Sequence, residues 1–247
     1  MTELITKETL DAFCYSNISH IKGKVSGICV SFRGLGAGAM ISDDTEIAQL
    51  KPTVERAKKL ADAGVVYFVP YLDPWNWLNA EAVATTDAII DTIIYALSLP
   101  GDIPIISSGG SMGGMCALTY MVYAKRSPVA CVANCPVCDV PFHYTERDDL
   151  PRTFYHAYYN SGMPIEQALR SHSPLHLTEK MPDAKYYIFH CEEDRAVNID
   201  AHSRALVRAL EKAERCVTFH TVKDRGHCAL TPEMTELYDR YIINSCS

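Results

Sequence analysis

The sequence predicts an α/β fold: a mostly parallel, doubly wound sheet with helices on both faces. Short apolar runs that suit buried strands alternate along the chain with longer segments in which apolar residues recur at helical spacing. Such alternation is typical of parallel strands joined by crossover helices. A length of 247 residues and a hydrophobic fraction of 48% are sufficient for one large core. We therefore expect residues 1–247 to form a single domain.

The elements follow in order after a polar start, where a short helix and an edge strand near residues 13–21 are expected. The predicted strands are apolar runs at 25–32, 65–69, 103–106, 129–133, 185–190 and 216–222. The predicted helices repeat apolar residues every three or four positions, at 45–63, 79–97, 112–125, 200–212 and 231–244. The first helix has Ile47 on its apolar face and ends at Gly64. Between 136 and 182 the alternation is lost, which predicts a small cap-like insertion.

Charge and composition exclude several classes of partner. The formal net charge of −7 argues against nucleic acid or an anionic membrane surface. No apolar run reaches the ~18 residues of a membrane span, and the start of the chain lacks the basic and apolar regions of a signal peptide. We therefore expect a cytoplasmic protein whose ten cysteines are reduced and mostly buried.

The clearest functional signal is the turn between strand 103–106 and the helix that follows it. Gly109–Gly113 matches G-x-S-x-G. On such a turn the serine backbone is strained, and a side chain in place of either glycine would collide with the neighbouring strand and helix. Ser111 is therefore the candidate nucleophile, at the positive end of a helix dipole. The alternatives are a plain glycine-rich connection and a dinucleotide loop, which needs a second glycine where Ser111 stands.

A nucleophilic serine needs a base and a third group that orients the base. In a doubly wound sheet such groups belong in loops at the carboxyl ends of strands. The loop after strand 185–190 contains Asp194, and the loop after strand 216–222 contains His227. The carboxylates that compete with Asp194 are Glu192, Glu193 and Asp224.

An acyl-transfer intermediate also needs two N–H donors for its oxyanion. The backbone N–H of Met112, directly after the serine, is the first expected donor. The second is expected in the glycine-rich segment after strand 25–32, with Leu35 as first choice and Gly34 as second. A simple glycine-rich turn is the alternative for this segment.

Four aromatic residues are predicted to bind the substrate: Trp75, Trp77, Phe142 and Tyr144. The tryptophans follow strand 65–69 on the same side as the serine, and the other two come from the insertion. The alternative is that these side chains hold the insertion against the sheet. Arg147 or Arg152 could hold a substrate carboxylate, the alternative being a solvated charged surface.

No metal or cofactor is expected. Cys135 and Cys138 form a C-x-x-C pair near Cys131 and His143, but no second pair completes a structural zinc site. Cys131 also lies in a predicted buried strand. The expectation is a structural loop, with a zinc site or a redox pair as alternatives.

Together these motifs resemble the α/β-hydrolase superfamily, and within it the catalytic domains of the prolyl oligopeptidase family and related esterases. The similarity extends over roughly residues 25–244. Its clearest motifs are Gly109–Gly114, Ser173–Leu175, His190–Val197 and Gly226–His227. The resemblance implies an α/β-hydrolase fold with Ser111 as nucleophile, Asp194 as acid and His227 as base, which follow one another in the chain order of that superfamily.

Two positions depart from the family pattern. Relatives usually carry His-Gly where this chain has Arg33-Gly34, and often glycine where Cys191 stands. The expected function is a serine hydrolase that cleaves an ester or amide of a small substrate through an acyl-enzyme. A serine peptidase acting on short peptides or acyl-amino acids is the first alternative, and a non-catalytic binding protein of the same fold is the second. Whether the chain forms a homo-oligomer stays open.

Overall fold

The computed structural model describes residues 4–246, which form a seven-stranded sheet. Its strands are β1 (Cys14–Ser16), β2 (Gly27–Phe32), β3 (Val65–Pro70), β4 (Ile105–Gly110), β5 (Ala130–Asn134), β6 (Lys185–Cys191) and β7 (Cys216–Val222). They lie in the order β1-β3-β2-β4-β5-β6-β7. All neighbouring pairs are parallel except β1 with β3. The prediction of a mostly parallel sheet is confirmed.

Helices cover both faces of this sheet. They are α1 (Lys51–Asp62), α2 (Ala80–Ala96), α3 (Met112–Tyr123), α4 (Val140–Glu146), α5 (Leu150–Tyr158), α6 (Ile165–Ser171), α7 (Pro174–Leu177), α8 (Ala205–Lys212) and α9 (Pro232–Asn244). α1 and α9 pack on one face, and α2, α3 and α8 pack on the other. Successive β3 residues alternate between the two cores, because strand side chains point to opposite faces. Within residues 4–246, no helix combines the length and the apolar character needed to span a bilayer.

Two helices begin later than predicted. Helix α1 begins at Lys51 rather than at residue 45, because Pro52 is favoured in the first turn of a helix and disfavoured further inside. The expectation that Ile47 faces the core is therefore wrong, and its side chain is 45% exposed. The helix predicted from residue 200 begins with a π-helical turn, Asp200–Arg204, and continues as α8.

Strand β4 extends further than its apolar run, to Gly110, so the polar residues Ser107 and Ser108 lie inside the sheet. Both side chains are buried. The Ser107 hydroxyl donates to the carbonyl of Ala117, and the Ser108 hydroxyl donates to the carbonyl of Val30. These hydrogen bonds satisfy two buried hydroxyls and extend the strand to the serine turn.

The segment between β5 and β6, predicted as a cap-like insertion over 136–182, contains the short helices α4 to α7. It packs against the loop after β3 through Trp77, which stacks on Phe154 with ring centroids 4.1 Å apart. The Trp77 indole N–H donates to Thr153 Oγ1 at 2.9 Å, and the Tyr158 hydroxyl donates to the Trp77 carbonyl at 2.7 Å. The buried aromatic residues therefore join this segment to the body of the sheet.

Candidate active site

Ser111 lies at the junction of β4 and α3 in a strained backbone conformation, with φ of 59° and ψ of −127°. The two flanking glycines are required by close contacts. A Cβ at Gly109 would lie 2.3 Å from the carbonyl oxygen of Gly113, and a Cβ at Gly113 would lie 2.2 Å from the carbonyl oxygen of Phe32. Real Cβ atoms do not approach other atoms so closely, so both positions require glycine. The tight turn that the glycines permit directs the hydroxyl of Ser111 out of the sheet.

His227 and Asp194 meet at the same edge, from the loops after β7 and β6. His227 Nδ1 is 2.6 Å from Asp194 Oδ2. The Asp194 side chain is fully buried, and its Oδ1 accepts the backbone N–H groups of Ala196 and Val197 at 2.8 and 3.0 Å. Burial would raise the pKa of Asp194, but hydrogen bonds from His190, His227 and Val197 outweigh it and hold that pKa well below its usual value. The carboxylate is therefore ionised and fixed in position.

The exposed carboxylates near Asp194 occupy different environments. Glu192, Glu193 and Asp224 are solvent-exposed, and Asp224 lies in a left-handed turn with φ of 54°. Among the four candidates, the hydrogen bond to His227 is made by Asp194.

His190 is a member of this cluster to which the sequence assigned no role. It is fully buried at the end of β6, with Nε2 3.4 Å from Asp194 Oδ2 and Nδ1 2.7 Å from the hydroxyl of Ser203. Its Nε2 also lies 3.1 Å from the carbonyl of Val197. A histidine inside an apolar strand is the available sequence signal, but most such residues are merely satisfied core side chains.

The other ring nitrogen of His227, Nε2, is 3.7 Å from Cys228 Sγ. Cys135 Sγ lies within 4.8 Å of Cys228 Sγ and of a ring nitrogen of His227. Burial would lower the pKa of His227, but its contacts with Asp194 and Cys135 outweigh burial and raise that pKa to about 9. Ser111 Oγ makes no hydrogen bond to His227 or to any other residue of the described chain, although both side chains line one cleft.

The three predicted oxyanion donors lie beside the serine. Met112 is the first residue of α3, and its N–H has no acceptor among residues 4–246. Gly34 is so close that a Cβ there would lie 3.7 Å from Ser111 Cβ. The N–H groups of Gly34 and Leu35 also have no acceptor in the described part of the chain, and both residues line the cleft.

The cleft at Ser111 has a volume of about 720 Å³. Trp77 borders this cleft, but it is fully buried and presents no surface to solvent. The other three predicted substrate-binding residues, Trp75, Phe142 and Tyr144, do not line this cleft. Trp75 packs against His156, and Phe142 packs against His202. Tyr144 contacts Phe154 and Tyr155 within the cap.

Arginine dominates the charged lining of the cleft. Arg33, Arg56 and Arg147 contribute to it, whereas no Asp or Glu of the described residues does. Arg147 forms an ion pair with Asp149. The other candidate for a substrate carboxylate, Arg152, lies instead over the Trp75 ring at 4.7 Å from its centroid. A smaller cavity of about 180 Å³ shares Arg33, Gly34 and Met112 with the cleft and is also lined by Asp73.

The four residues considered for zinc do not form one cluster. Cys131 is buried in β5, and the Cys138 thiol donates to the carbonyl of Pro136. His143 is bonded through Nδ1 to Glu146, whose carboxylate also accepts from His202. Cys135 alone faces the serine edge, towards His227 and Cys228.

Comparison with known proteins identifies a matching family and similar folds. The sequence model of the prolyl oligopeptidase family matches residues 104–241, more than half of the chain. The apo form of Thermogutta terrifontis esterase 2 has a TM-score of 0.65 and 19% identity, covering 94% of this chain and 88% of that chain. Est1E from Butyrivibrio proteoclasticus has a TM-score of 0.62 and 14% identity, covering 94% of this chain and 93% of that chain.

Pyrococcus horikoshii acylaminoacyl peptidase has a TM-score of 0.65 and 13% identity. The match covers 91% of this chain but 36% of the peptidase, so this chain spans about a third of that protein. No curated protein sequence matches the chain. The structural similarities confirm the predicted α/β-hydrolase fold. Because the family match covers most of the segment from β4 to α9, the chain belongs to the prolyl oligopeptidase family and is a serine hydrolase.

Proposed function

We propose that Ser111, His227 and Asp194 form a catalytic triad that cleaves an ester or amide of a small substrate through an acyl-enzyme. The observation that carries this proposal is the 2.6 Å hydrogen bond between His227 Nδ1 and the buried Asp194 carboxylate. Because this bond engages Nδ1, Nε2 is the nitrogen left to act as the base. It does so on the cleft that also contains Ser111.

In the proposed reaction, Ser111 Oγ attacks the carbonyl carbon while His227 Nε2 takes the hydroxyl proton. The oxyanion then accepts hydrogen bonds from the N–H of Met112 and from that of Leu35 or Gly34. As the intermediate collapses, Nε2 gives the proton to the leaving group, and a water molecule repeats the sequence to release the acid. Asp194 stays ionised throughout and stabilises the imidazolium, as its depressed pKa requires.

The hydrogen bond between Ser111 and His227 is proposed to form when substrate enters. Catalytic hydrogen bonds commonly tighten only in the complex with substrate. The Ser111 hydroxyl makes no competing hydrogen bond within residues 4–246, so its rotation towards Nε2 breaks no hydrogen bond. The acyl group is proposed to lie between Leu35, Val137 and Val197, which are apolar parts of the cleft lining.

Labelling with a fluorophosphonate tests the nucleophile. We expect stoichiometric labelling of the wild type and of Ser161→Ala, which removes an exposed serine of the cap, and none of Ser111→Ala. Hydrolysis of p-nitrophenyl acetate should fall by about 10⁶-fold in Ser111→Ala. Labelling of Ser111→Ala at the wild-type level would remove the proposed nucleophile.

A substrate panel separates the two classes of bond. Short-chain p-nitrophenyl esters are compared with aminoacyl and dipeptidyl p-nitroanilides, each with Ser111→Ala as the blank. Ester turnover without amide turnover assigns an esterase. Amide turnover that depends on Ser111 assigns the peptidase alternative.

A further inference from the structure

Cys135, His227 and Cys228 present two sulfur atoms and one imidazole nitrogen to a common point beside the serine. We propose that these three residues bind a thiophilic divalent cation of the Zn²⁺ class, and that the bound ion blocks hydrolysis by occupying His227 Nε2. The binding site is independent of the reaction, whereas the inhibition rests on the proposed triad.

The spacing of the three atoms suits a tetrahedral ion. Cys135 Sγ, Cys228 Sγ and a ring nitrogen of His227 all lie within 4.8 Å of one another, and Cys228 Sγ is 3.7 Å from Nε2. With zinc–sulfur distances of about 2.3 Å and zinc–nitrogen distances of about 2.0 Å, tetrahedral angles separate such ligand atoms by about 3.5 to 3.8 Å. The 3.7 Å separation of Cys228 Sγ and His227 Nε2 therefore needs no rearrangement of this pair.

The imidazole is already oriented as a metal ligand. Its Nδ1 is bonded to the buried Asp194 carboxylate, and a metal-bound histidine usually donates its second ring N–H to such a group. Nε2 is thereby directed at Cys228 Sγ.

The hydrogen bond with Cys228 and burial raise the pKa of Cys135, so its thiol keeps its proton until a cation displaces it. Its sulfur accepts the backbone N–H groups of Cys191 and Cys228, each at 3.4 Å. Such hydrogen bonds stabilise negative charge on the acceptor. Both cysteines also have left-handed backbones, with φ of 45° at Cys135 and 59° at Cys228. Binding displaces the protons of the two thiols and of the protonated His227 Nε2 and releases them to solvent.

The cleft supplies an entry path. The His227 side chain is 30% exposed and Cys228 is partly exposed, and both line the cleft. Three protein ligands leave a fourth position for water, as in zinc sites that are not closed by protein. An ion there uses the Nε2 lone pair, so the imidazole can no longer accept the Ser111 proton.

Two neighbouring groups of potential ligands are less suitable. His202 Nδ1 accepts the N–H groups of Cys138 and Asp139, each at 3.1 Å, so Nε2 keeps its hydrogen towards Glu146. His190 is engaged at both nitrogens, by Ser203 and by the carbonyl of Val197. Both histidines are therefore held by oxygen or backbone partners at both ring nitrogens, whereas the hydrogen-bond partner of His227 Nε2 among the described residues is the Cys228 sulfur.

Titration of the reduced, full chain with Co²⁺ tests binding without using activity. We expect one equivalent to produce a thiolate-to-cobalt charge-transfer band and the visible bands of tetrahedral cobalt, with Zn²⁺ displacing the signal. Cys135→Ser and Cys228→Ser should each diminish the charge-transfer band and weaken binding. Cys216→Ser, at the exposed cysteine of β7, should leave both unchanged. Asp194→Asn should weaken cobalt binding by about 10–100-fold through the loss of its support to His227.

Absence of these bands in the wild type, or bands of full intensity in both Cys135→Ser and Cys228→Ser, would overturn the site. Circular dichroism of each variant tests whether the variant is folded, so that loss of a cobalt band is not caused by unfolding. The inhibition is tested by p-nitrophenyl acetate hydrolysis, each protein being compared with its own metal-free rate. We expect Zn²⁺ to inhibit the wild type reversibly with EDTA and to inhibit Cys228→Ser much less. Cobalt bands without any Ser111-dependent hydrolysis would support the site and overturn the inhibition alone.

Discussion

At the scale of single residues, the backbone around Ser111 is held by contacts that leave no room for a Cβ at Gly109 or Gly113. The nearest atoms to a Cβ at Gly113 belong to the backbone of Phe32 and Arg33, which cannot move aside as a flexible side chain can. Phe32 ends β2, and Arg33 precedes the proposed oxyanion donor Gly34. The same glycine therefore sets the position of both the nucleophile and the neighbouring loop.

We expect Gly113→Ala to lower the free energy of unfolding by about 1–3 kcal/mol, because the added methyl group overpacks this contact. Helix propensity alone favours Ala over Gly by about 1 kcal/mol, so a net loss identifies the contact as the dominant effect. Urea unfolding measures the change. Gly101→Ala is the matched control, since a Cβ there meets nothing within 4 Å. Equal stability of the two variants would contradict the steric argument.

The pair formed by Asp194 and His227 makes a second prediction at this scale. Because the pKa of His227 is raised to about 9, the imidazole is mostly protonated at neutral pH and cannot accept a proton. We expect kcat/KM to rise with pH and to level off above about 9. Asp194→Asn removes the charge that holds this pKa up, so the apparent pKa should fall, and activity should fall by about 10⁴-fold.

Rates measured from pH 6 to pH 10 with a neutral ester test this prediction. Glu192→Gln removes an exposed carboxylate two residues from Asp194 and should keep the wild-type profile. If kcat/KM of the wild type does not change over this range, protonation of His227 does not limit the reaction, and the prediction is wrong.

At the scale of elements, the sequence was sufficient to place the three candidate catalytic residues at one edge of the sheet. Loops after parallel strands meet there whatever the detailed packing. It was not sufficient to predict the direction of the His227 ring, because Cys135 and Cys228 are 93 positions apart and their contact depends on the pairing of β5, β6 and β7. The start of α1 was missed because a regular apolar spacing extended upstream of Pro52, where the chain forms turns instead.

Helix α4 is joined to the π-helical turn before α8 through Glu146, which is hydrogen-bonded to His143 and His202. Burial would raise the pKa of Glu146, but the two histidines outweigh it and lower that pKa from 4.5 to about 2. A carboxyl whose folded pKa is depressed stabilises the protein above its unfolded value. That stabilisation is lost as pH falls through the folded value.

We therefore expect Glu146 to stabilise the fold fully above about pH 4.5 and to lose this effect progressively between pH 4.5 and pH 2. Glu146→Gln should be less stable than the wild type at pH 7, and its stability should decline less steeply through the acid range. Urea midpoints at a series of pH values measure both effects. Glu166→Gln, on the exposed side of α6, should match the wild type throughout.

At the scale of the whole molecule, the mostly parallel sheet with helices on both faces was predictable from the sequence. Short apolar runs alternate directly along the chain with segments of helical apolar spacing. The course of residues 136–182 was not, because its short helices are held by contacts with distant parts of the chain. Trp77 illustrates the difference: its position after a strand indicated a substrate contact, but Thr153, Phe154 and Tyr158 bury it in the joint between cap and sheet.

The distribution of charge over the whole chain leads to the last prediction. The net charge is −7, yet three arginines and, within the described residues, no Asp or Glu line the cleft. Arg56 is paired with Asp239 at 2.6 Å, and Arg147 is paired with Asp149, whereas Arg33 has no carboxylate partner among residues 4–246. Arg33 also directly precedes Gly34, beside the serine. An unpaired, half-buried guanidinium at this place favours a substrate with a negative charge on its acyl group.

We expect the p-nitrophenyl monoester of succinate to be hydrolysed with a higher kcat/KM than the uncharged butyrate ester, and Arg33→Met to lower the ratio of the two values by about 10-fold or more. Added salt should weaken the preference in the wild type, because it screens the attraction. Arg208→Met removes an exposed arginine of α8 and should preserve the ratio. If Arg33→Met reduces both rates equally, Arg33 acts by holding its loop through the Ala39 carbonyl, to which its guanidinium donates, and not by binding the substrate charge.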